Sequence, residues 1–192
     1  MMRGSLRVFV TVSLLTIGSS QAFAQRRAPS AGMWALGGSV GASVPSDPSL
    51  ANGFDLAGNL EGYVTPRVSI RGQLGGTWSE DIVGRRFTGT VSPFFVDANI
   101  VYNWEGGVLH PFVTGGVGMY RYRSSIMGAP AMTDTRPGVD VGGGLEIFYH
   151  RRTAVTVEVL YHAVSQIDTP VTTFNQGQFW TFGVGLKQYF DR

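Results

Sequence analysis

The segment 161–165 carries the residue types of nucleophilic catalysis. It reads Tyr161-His162-Ala163-Val164-Ser165, and the carboxylate of Glu158 comes shortly before it. A histidine that is oriented by an acid can activate a serine hydroxyl for acyl transfer. The serine stands three positions after the histidine, and residues at that spacing on a β-strand point to opposite faces of the sheet. If this segment is a strand, the histidine and the serine lie on opposite faces and cannot form a catalytic pair.

Two glycine runs and three histidines are the other candidates for chemistry. Gly115-Gly116-Val117-Gly118 and Gly142-Gly143-Gly144 resemble phosphate-binding loops, but neither opens a predicted helix, as such a loop must. We interpret both runs as strand glycines. His110, His150 and His162 are scattered along the chain, and the sequence holds no cysteine that could join them. We therefore predict neither a metal nor a cofactor.

The N-terminal 24 residues have the organisation of a secretory signal peptide. Arg3 and Arg7 precede an apolar run over 8–17, and small residues end the segment at Ala22-Phe23-Ala24. We predict cleavage after Ala24, which leaves a single domain over 25–192. The apolar run is shorter than the roughly 20 residues of a membrane-spanning helix, and no later stretch approaches that length.

The composition differs from that of proteins that fold in water. Charged residues make up 15% of the chain, against roughly 25% in ordinary soluble domains. Two of the 15 Lys and Arg residues lie in the predicted signal peptide, so the remainder equals the 13 Asp and Glu residues in number. This balance gives no reason to expect nucleic acid as a partner. The shortage of charge favours lipid as the solvent of one face.

Beyond residue 31 the hydrophobicity alternates with a period of two, which is typical of β-strands with two different faces. Each alternating run is long enough to cross a bilayer when tilted, for which about 9 to 11 residues suffice. The predicted strands cover eight runs: 32–44, 53–64, 68–78, 92–104, 110–123, 138–150, 152–164 and 178–190.

Short and long connections alternate between these runs. The short ones are 65–67, 105–109 and residue 151, and the long ones, rich in Gly, Pro, Ser, Asp and Thr, are 45–52, 79–91, 124–137 and 165–177. Short turns on one side and long loops on the other are typical of outer-membrane barrels, whose turns lie in the periplasm. The predicted fold is an all-β, eight-stranded, antiparallel, up-and-down transmembrane β-barrel.

Aromatic residues end the apolar face of these runs at matching heights. Two such belts mark the two lipid–water interfaces of a membrane barrel. The predicted interface aromatics are Trp34, Trp104, Phe112, Tyr149 and Phe190 near the short turns and Trp78, Tyr120, Tyr122, Tyr161 and Trp180 near the loops.

The opposite face carries charges of both signs. Antiparallel register across the first short turn sets Glu61 opposite Arg71, and the register across Arg151 sets Asp140 opposite His162. Because buried charges need partners, we predict an ion-pair network in the lumen. An eight-stranded lumen is just wide enough for side chains, so we expect no open pore. The predicted members are Glu61, Arg71, Asp97, Arg121, Arg123, Asp140, Glu146, Glu158, His162 and Lys187.

The chain closes in an alternating strand, Gly183-Val184-Gly185-Leu186-Lys187-Gln188-Tyr189-Phe190. In this the sequence resembles the OmpA-like and OmpX-like family of eight-stranded outer-membrane β-barrels. The resemblance implies a bacterial outer-membrane location, contact with outer-membrane lipid, and recognition of the last strand by the barrel-assembly machinery. One departure is that Asp191 and Arg192 follow the aromatic residue that usually ends such a chain.

The function expected from this fold is structural or adhesive, with no catalytic site. The four long loops on a rigid scaffold are then the working surface, or else the barrel serves the integrity of the envelope. One alternative is an enzyme similar to the eight-stranded lipid A deacylases, which use a His, a Ser and an acid; Glu158, His162 and Ser165 would be the counterparts. Another is a soluble lipocalin-like carrier of a hydrophobic ligand, because Gly32-Met33-Trp34 matches a Gly-x-Trp motif of lipocalins.

Overall fold

A computed structural model describes residues 29–47, 50–79, 89–104, 107–126, 131–165, 167–168, 173–174 and 177–191. The predicted signal peptide over 1–24 lies outside these residues. No described residue belongs to a helix that is long and apolar enough to cross a membrane. The described strands are β1 Trp34–Pro45, β2 Gly53–Tyr63, β3 Val68–Ser79, β4 Gly89–Asn103, β5 Leu109–Ile126, β6 Met132–His150, β7 Thr153–Val164, β8 Ile167–Asp168, β9 Thr173–Phe174 and β10 Gly177–Phe190.

Eight of these strands close into an antiparallel barrel, in the order β1-β10-β7-β6-β5-β4-β3-β2. Each strand pairs with its neighbours along the chain, and β10 closes the sheet by pairing with β1. Closure gives the backbone N–H and C=O groups of the strands partners within the sheet, which hydrocarbon cannot supply. The predicted fold class is confirmed.

The barrel strands are staggered. A path that starts at Trp34 on β1 and passes from each residue to its direct partner on the next strand, through β2 to β10, does not return to Trp34. It returns to β1 at Val44, ten positions nearer the loop end of the barrel. Two directly paired residues therefore lie at slightly different heights along the barrel axis. The residue at the same height on the adjacent strand is slightly more than one position away from the direct partner. This offset decides which side chains share a level of the barrel.

The strands agree with the predicted runs except at the loop end of β4, β5 and β6 and in the predicted loop 165–177, which contains the short paired strands β8 and β9. The predicted loop 124–137 is wrong, because β5 continues to Ile126 and β6 begins at Met132, with Ser124 paired to Met132. β4 likewise begins at Gly89, inside the predicted loop 79–91. These extensions are not evident from the sequence. Beyond the bilayer neither face of a strand meets lipid, so apolar and polar residues do not alternate there. We call this three-stranded extension the projection; it comprises 89–92, 121–126 and 132–136.

The two faces of the barrel wall differ in polarity. Outward side chains are mostly apolar and exposed, and Ile100 reaches 65% exposure. Inward side chains are largely polar and buried, and the exposure of Arg71 is 1%. A soluble carrier barrel has the reverse arrangement, with its apolar residues lining the cavity, so the lipocalin-like alternative does not fit.

Inward glycines lie beside the largest side chains of the lumen. A Cβ atom on Gly144 would come within 2.8 Å of the Phe112 ring, and one on Gly75 would come within 2.5 Å of the Phe95 ring. The narrow lumen holds these rings because the neighbouring strand presents no side chain at that point. Both glycine runs of the sequence lie within strands, β5 and β6.

Apolar clusters lie at both ends of the lumen. Phe95, Tyr120, Tyr122 and Phe179 are the large members of the cluster at the loop end. The cluster at the turn end contains Met33, Ala35, Tyr63, Phe148, Ala154 and Tyr189. The charged side chains of Glu61, Arg71 and Lys187 lie between the two clusters.

Candidate functional site

Five charged side chains meet in the half of the lumen nearer the turns. Arg71 on β3 lies opposite Glu61 on β2, with Nε 3.1 Å from Glu61 Oε2. Arg71 also forms an ion pair with Glu158 on β7 through Nη1. Lys187 on β10 places Nζ 2.7 Å from Glu61 Oε2 and forms a second ion pair with Glu146 on β6. These five residues, called here the paired network, join five of the eight strands.

Neutral side chains complete the paired network. The Ser69 hydroxyl donates to Glu61, and the Tyr189 hydroxyl donates to Glu146. Tyr63 and Tyr189 lie with their hydroxyl oxygens 3.3 Å apart. Such bonds satisfy carboxylate oxygens that are fully buried and would otherwise be costly.

An aromatic ring also supports both cations of the paired network. The Phe112 ring centroid lies 5.2 Å from the guanidinium carbon of Arg71 and 5.9 Å from Lys187 Nζ. The face of an aromatic ring attracts cations electrostatically. Sequence reasoning did not assign Ser69, Tyr63, Tyr189 or Phe112 to this site, although each alternates in phase with a lumenal residue on its strand.

A second group of acids lies nearer the loop end without cations. Asp97 on β4 accepts a hydrogen bond from Asn99 Nδ2 at 2.8 Å through one carboxylate oxygen. Its other oxygen and both oxygens of Asp140 on β6 have no hydrogen-bond partner among the described residues. We call Asp97 and Asp140 the unpaired acids. The register sets Asp140 opposite His162, as the sequence predicts, but the two side chains form no hydrogen bond.

His162 belongs to an aromatic cluster. Its Nδ1 shares a hydrogen bond of 3.0 Å with the Tyr120 hydroxyl, and its Nε2 lies 3.2 Å from Thr181 Oγ1. The imidazole stacks on Phe179 with the ring centroids 4.4 Å apart. Both ring nitrogens are thus held by neutral partners, and Phe95 packs against the same imidazole. His162 is not a member of the paired network.

The structure does not bring together the three groups of the deacylase-like alternative. His162 is buried in the lumen, whereas Ser165 is exposed and its hydroxyl donates to the Pro137 carbonyl at 3.4 Å. Glu158 is bound to Arg71. The described residues contain no group of three or more His, Cys, Asp and Glu side chains that could hold a metal ion.

The predicted orientation of β5 is wrong. Phe112, Tyr120 and Tyr122 are buried in the lumen, whereas Arg121 and Arg123 are exposed on the outside. The cause is register, because Phe112 pairs with inward Asn103 and Tyr120 with inward Phe95. The two arginines are not lumenal charges; they belong to the projection, where an outward cation meets no hydrocarbon.

The other predicted interface aromatics lie on the outside. Trp34 stacks on Phe190 at 4.1 Å near the turns. Tyr161 packs on Trp180 at 4.8 Å near the loops. Outward pairing of aromatic rings at both ends of the wall is the arrangement expected at two membrane interfaces. The outward set is Trp34, Trp78, Trp104, Tyr149, Tyr161, Trp180 and Phe190.

Comparison with known proteins agrees with this architecture. The family model described as outer membrane protein beta-barrel domain matches residues 10–190. A search of curated proteins finds no significant match.

Solved structures share the fold at low identity. Neisserial surface protein A is 13% identical, with a TM-score of 0.67 over 83% of this chain and 98% of that one. The attachment invasion locus protein Ail of Yersinia pestis is 13% identical, with a TM-score of 0.57 over 83% and 99%. OprG of Pseudomonas aeruginosa is 9% identical, with a TM-score of 0.60 over 85% and 98%.

Proposed function

This chain belongs to the outer membrane protein beta-barrel domain family, and from that membership we propose that it is a closed outer-membrane scaffold whose projection binds partners at the cell surface. The observation that carries the proposal is the unequal length of the strands. β5 and β6 contain 18 and 19 residues, whereas β1, β2 and β3 contain 12, 11 and 12. Among the described barrel strands, β4, β5 and β6 extend outward beyond the loop-end aromatics.

The chemistry of the projection supports a binding role. It carries Arg121, Arg123, Asp134 and Arg136. Arg136 Nε lies 2.9 Å from Asp134 Oδ2, so these two residues form an ion pair. Charged groups on a rigid scaffold outside the membrane are typical recognition elements. Ail, which shares this fold, is named an attachment protein, and one of its structures holds the heparin analogue sucrose octasulfate.

The filled lumen supports a scaffold rather than a channel. The paired network lies between two apolar clusters whose rings are almost fully buried. An eight-stranded barrel has space for side chains but not for a column of diffusing solute. The polar lumen therefore serves to hold the wall in one shape.

Export and assembly complete the proposal. The segment 1–24 directs secretion and is removed, and the last strand, which ends in Phe190, is recognised by the barrel-assembly machinery. N-terminal sequencing of the protein from outer membranes is expected to begin at Gln25. A mature chain that begins elsewhere would contradict the cleavage site alone.

Trimming the projection tests the binding role. Arg123 pairs directly with Thr133, so residues 124–132 can be replaced by Asn-Gly, a dipeptide that suits a two-residue hairpin turn. Because the deleted segment contains no charged residue, the same variant also carries Asp134→Asn and Arg136→Gln, while Arg121 and Arg123 are kept. Cells that display this variant are expected to adhere less to immobilised heparin and to epithelial monolayers than cells that display the wild type. Surface level is matched by antibody, and folding is checked by the mobility of unboiled protein in detergent gels.

A matched control trims a different long connection. Val164 pairs with Gly177, so residues 165–176 can be replaced by Asn-Gly in the same way. This control is expected to retain adherence. If the two variants and the wild type adhere equally, the binding role of the projection is refuted, and increased detergent sensitivity of a deletion strain would then favour an envelope-integrity role.

A further inference from the structure

The outer surface of β4, β5, β6 and β7 contains an apolar groove. Its volume is 740 Å³, which is within the roughly 300–1,000 Å³ of pockets that hold small ligands. Outward side chains that line it are Val96, Ala98, Val117, Met119, Val139 and Ala163. It lies on the wall of the barrel, outside the paired network.

Small residues on the outward face create this groove. Ala98 pairs directly with Val117, and Ala163 pairs directly with Val139. Ala98 lies between Val117 on β5 and Gly72 on β3, and Ala163 lies between Val139 on β6 and Gln178 on β10, so the surface is indented beside the two valines. Met119, a flexible apolar side chain, lines the groove toward the loop end.

The groove lies at the level of the loop-end aromatics. Trp180 pairs with Tyr161 on β7, Tyr161 pairs with Val141 on β6, and Val141 pairs with Gly115 on β5. The stagger of slightly more than one position per strand brings Met119, rather than Gly115, to the height of Trp180. The groove therefore extends from this interface into the outer half of the hydrocarbon layer, where acyl chains of the outer leaflet lie.

A polar, cationic surface begins directly above the groove. Arg121 follows Met119 by two positions on the same outward face and pairs with Thr135 on β6. Arg123 follows next and pairs with Ser92 on β4 and Thr133 on β6. Both arginines are exposed, and neither forms an ion pair with another described residue. Guanidinium groups beside hydroxyl-bearing residues suit a phosphate group.

We propose that the groove and the two arginines form one site for a phosphorylated, multiply acylated glucosamine lipid of the outer leaflet, the lipid A type. One acyl chain fills the groove, and a sugar phosphate is bound by Arg121 and Arg123. The arginines lie directly above the groove, and the phosphates of such a lipid lie at the membrane surface directly above its acyl chains, so the two arrangements match. The proposal does not depend on binding by the tip of the projection.

Native mass spectrometry of the full mature barrel with added bis-phosphorylated, hexa-acylated lipid A tests the site. The wild type is expected to retain the lipid. The double variant Arg121→Gln/Arg123→Gln is expected to bind it roughly tenfold more weakly or worse, because charge-assisted hydrogen bonds are lost. Dephosphorylated lipid A is expected to bind the wild type as weakly as the phosphorylated form binds the variant.

A control at the opposite rim carries the same change of charge. Arg67 and Arg151 are exposed at the short turns, and Arg67→Gln/Arg151→Gln is expected to leave lipid A retention unchanged. If both double variants lose retention equally, general charge attraction explains the binding and the site is refuted. Equal retention of lipid A by wild type and Arg121→Gln/Arg123→Gln also refutes it.

Filling the groove tests the acyl-chain half. Ala98→Phe places a ring in the groove without altering either arginine, and it is expected to weaken lipid A binding several-fold. Val184→Phe, an outward substitution on β10 at a position with 54% exposure, is the control and is expected to have no effect. Undiminished binding by Ala98→Phe would refute the groove as the chain site, and unboiled gel mobility reports folding of every variant.

Discussion

The paired network and the unpaired acids belong to one lumen, but their electrostatics differ. Every carboxylate of the paired network forms an ion pair with Arg71 or Lys187. Asp97 and Asp140, nearer the loops, form no ion pair with any described residue. Burial of a charge costs free energy unless a cation and hydrogen bonds compensate for it. We therefore expect the paired network to hold the barrel together and the unpaired acids to destabilise it.

The largest expected effect comes from removing the cation that joins two acids. Arg71→Met leaves Glu61 and Glu158 without this partner, and breaking a buried pair in this way costs about 3–5 kcal/mol. Urea unfolding of the barrel in phospholipid vesicles, followed by tryptophan fluorescence, measures the change. A decrease in the free energy of unfolding of less than about 1 kcal/mol would be typical of an exposed ion pair. It would contradict the stabilising role of the paired network.

The next largest effect is steric and tests how closely β6 packs against β7 and the ring beneath the cations. A Cβ atom in Gly144→Ala would overlap the backbone oxygen of Val157 and lie 2.8 Å from the Phe112 ring that supports Arg71 and Lys187. The expected loss in the free energy of unfolding is about 1–3 kcal/mol. Gly72→Ala is the control, because nothing lies within 4 Å of its outward Cβ position. Equal stability of the two variants would show that the lumen is less tightly filled than described.

The unpaired acids are expected to respond in the opposite direction. Asp140→Asn removes a buried charge that has no hydrogen-bond partner among described residues, so the free energy of unfolding is expected to rise by about 1 kcal/mol. The comparison variant Glu61→Gln, in the paired network, is expected to lower it. The same unfolding measurement serves for both. If Asp140→Asn destabilises as much as Glu61→Gln, the two halves of the lumen do not differ.

The smallest expected effect concerns an ion pair outside the lumen. Arg152 pairs with Asp191 near the short turns, where the side chains are 56% and 38% exposed. Arg152→Met is expected to cost about 0.2–1 kcal/mol, since water and salt screen this pair. The cost is expected to diminish as salt is added to the vesicles, whereas that of Arg71→Met is expected to stay nearly constant. Loss of stability comparable with Arg71→Met would contradict the role of burial.

Part of the site follows from local register alone. Glu61 and Arg71 are close in sequence and face each other across one short turn, so alternation and turn length suffice to pair them. Lys187 belongs to the same network, yet it is 126 positions from Glu61. Its contact exists only because β10 closes on β1, and the height at which it meets Glu61 depends on the stagger of the whole sheet.

The error on β5 has a similar physical origin. Alternation shows that Arg121 and Arg123 share a face, but not whether that face meets lipid, lumen or water. Charge predicts a lumenal position within the hydrocarbon layer, but the two arginines lie beyond that layer, where an outward charge carries no penalty. Register with β4 decides the matter, because Phe95 and Asn103 already face inward.

The sequence by itself determined the strands, the alternation of short turns and long loops, and the apolar exterior, because each depends on residues that are neighbours along the chain. Only the tertiary structure decided which acids have cations, how far β5 and β6 extend, and which outward residues lie together at one height. These properties depend on closure and stagger, which join strands far apart in sequence and are set by the whole barrel at once.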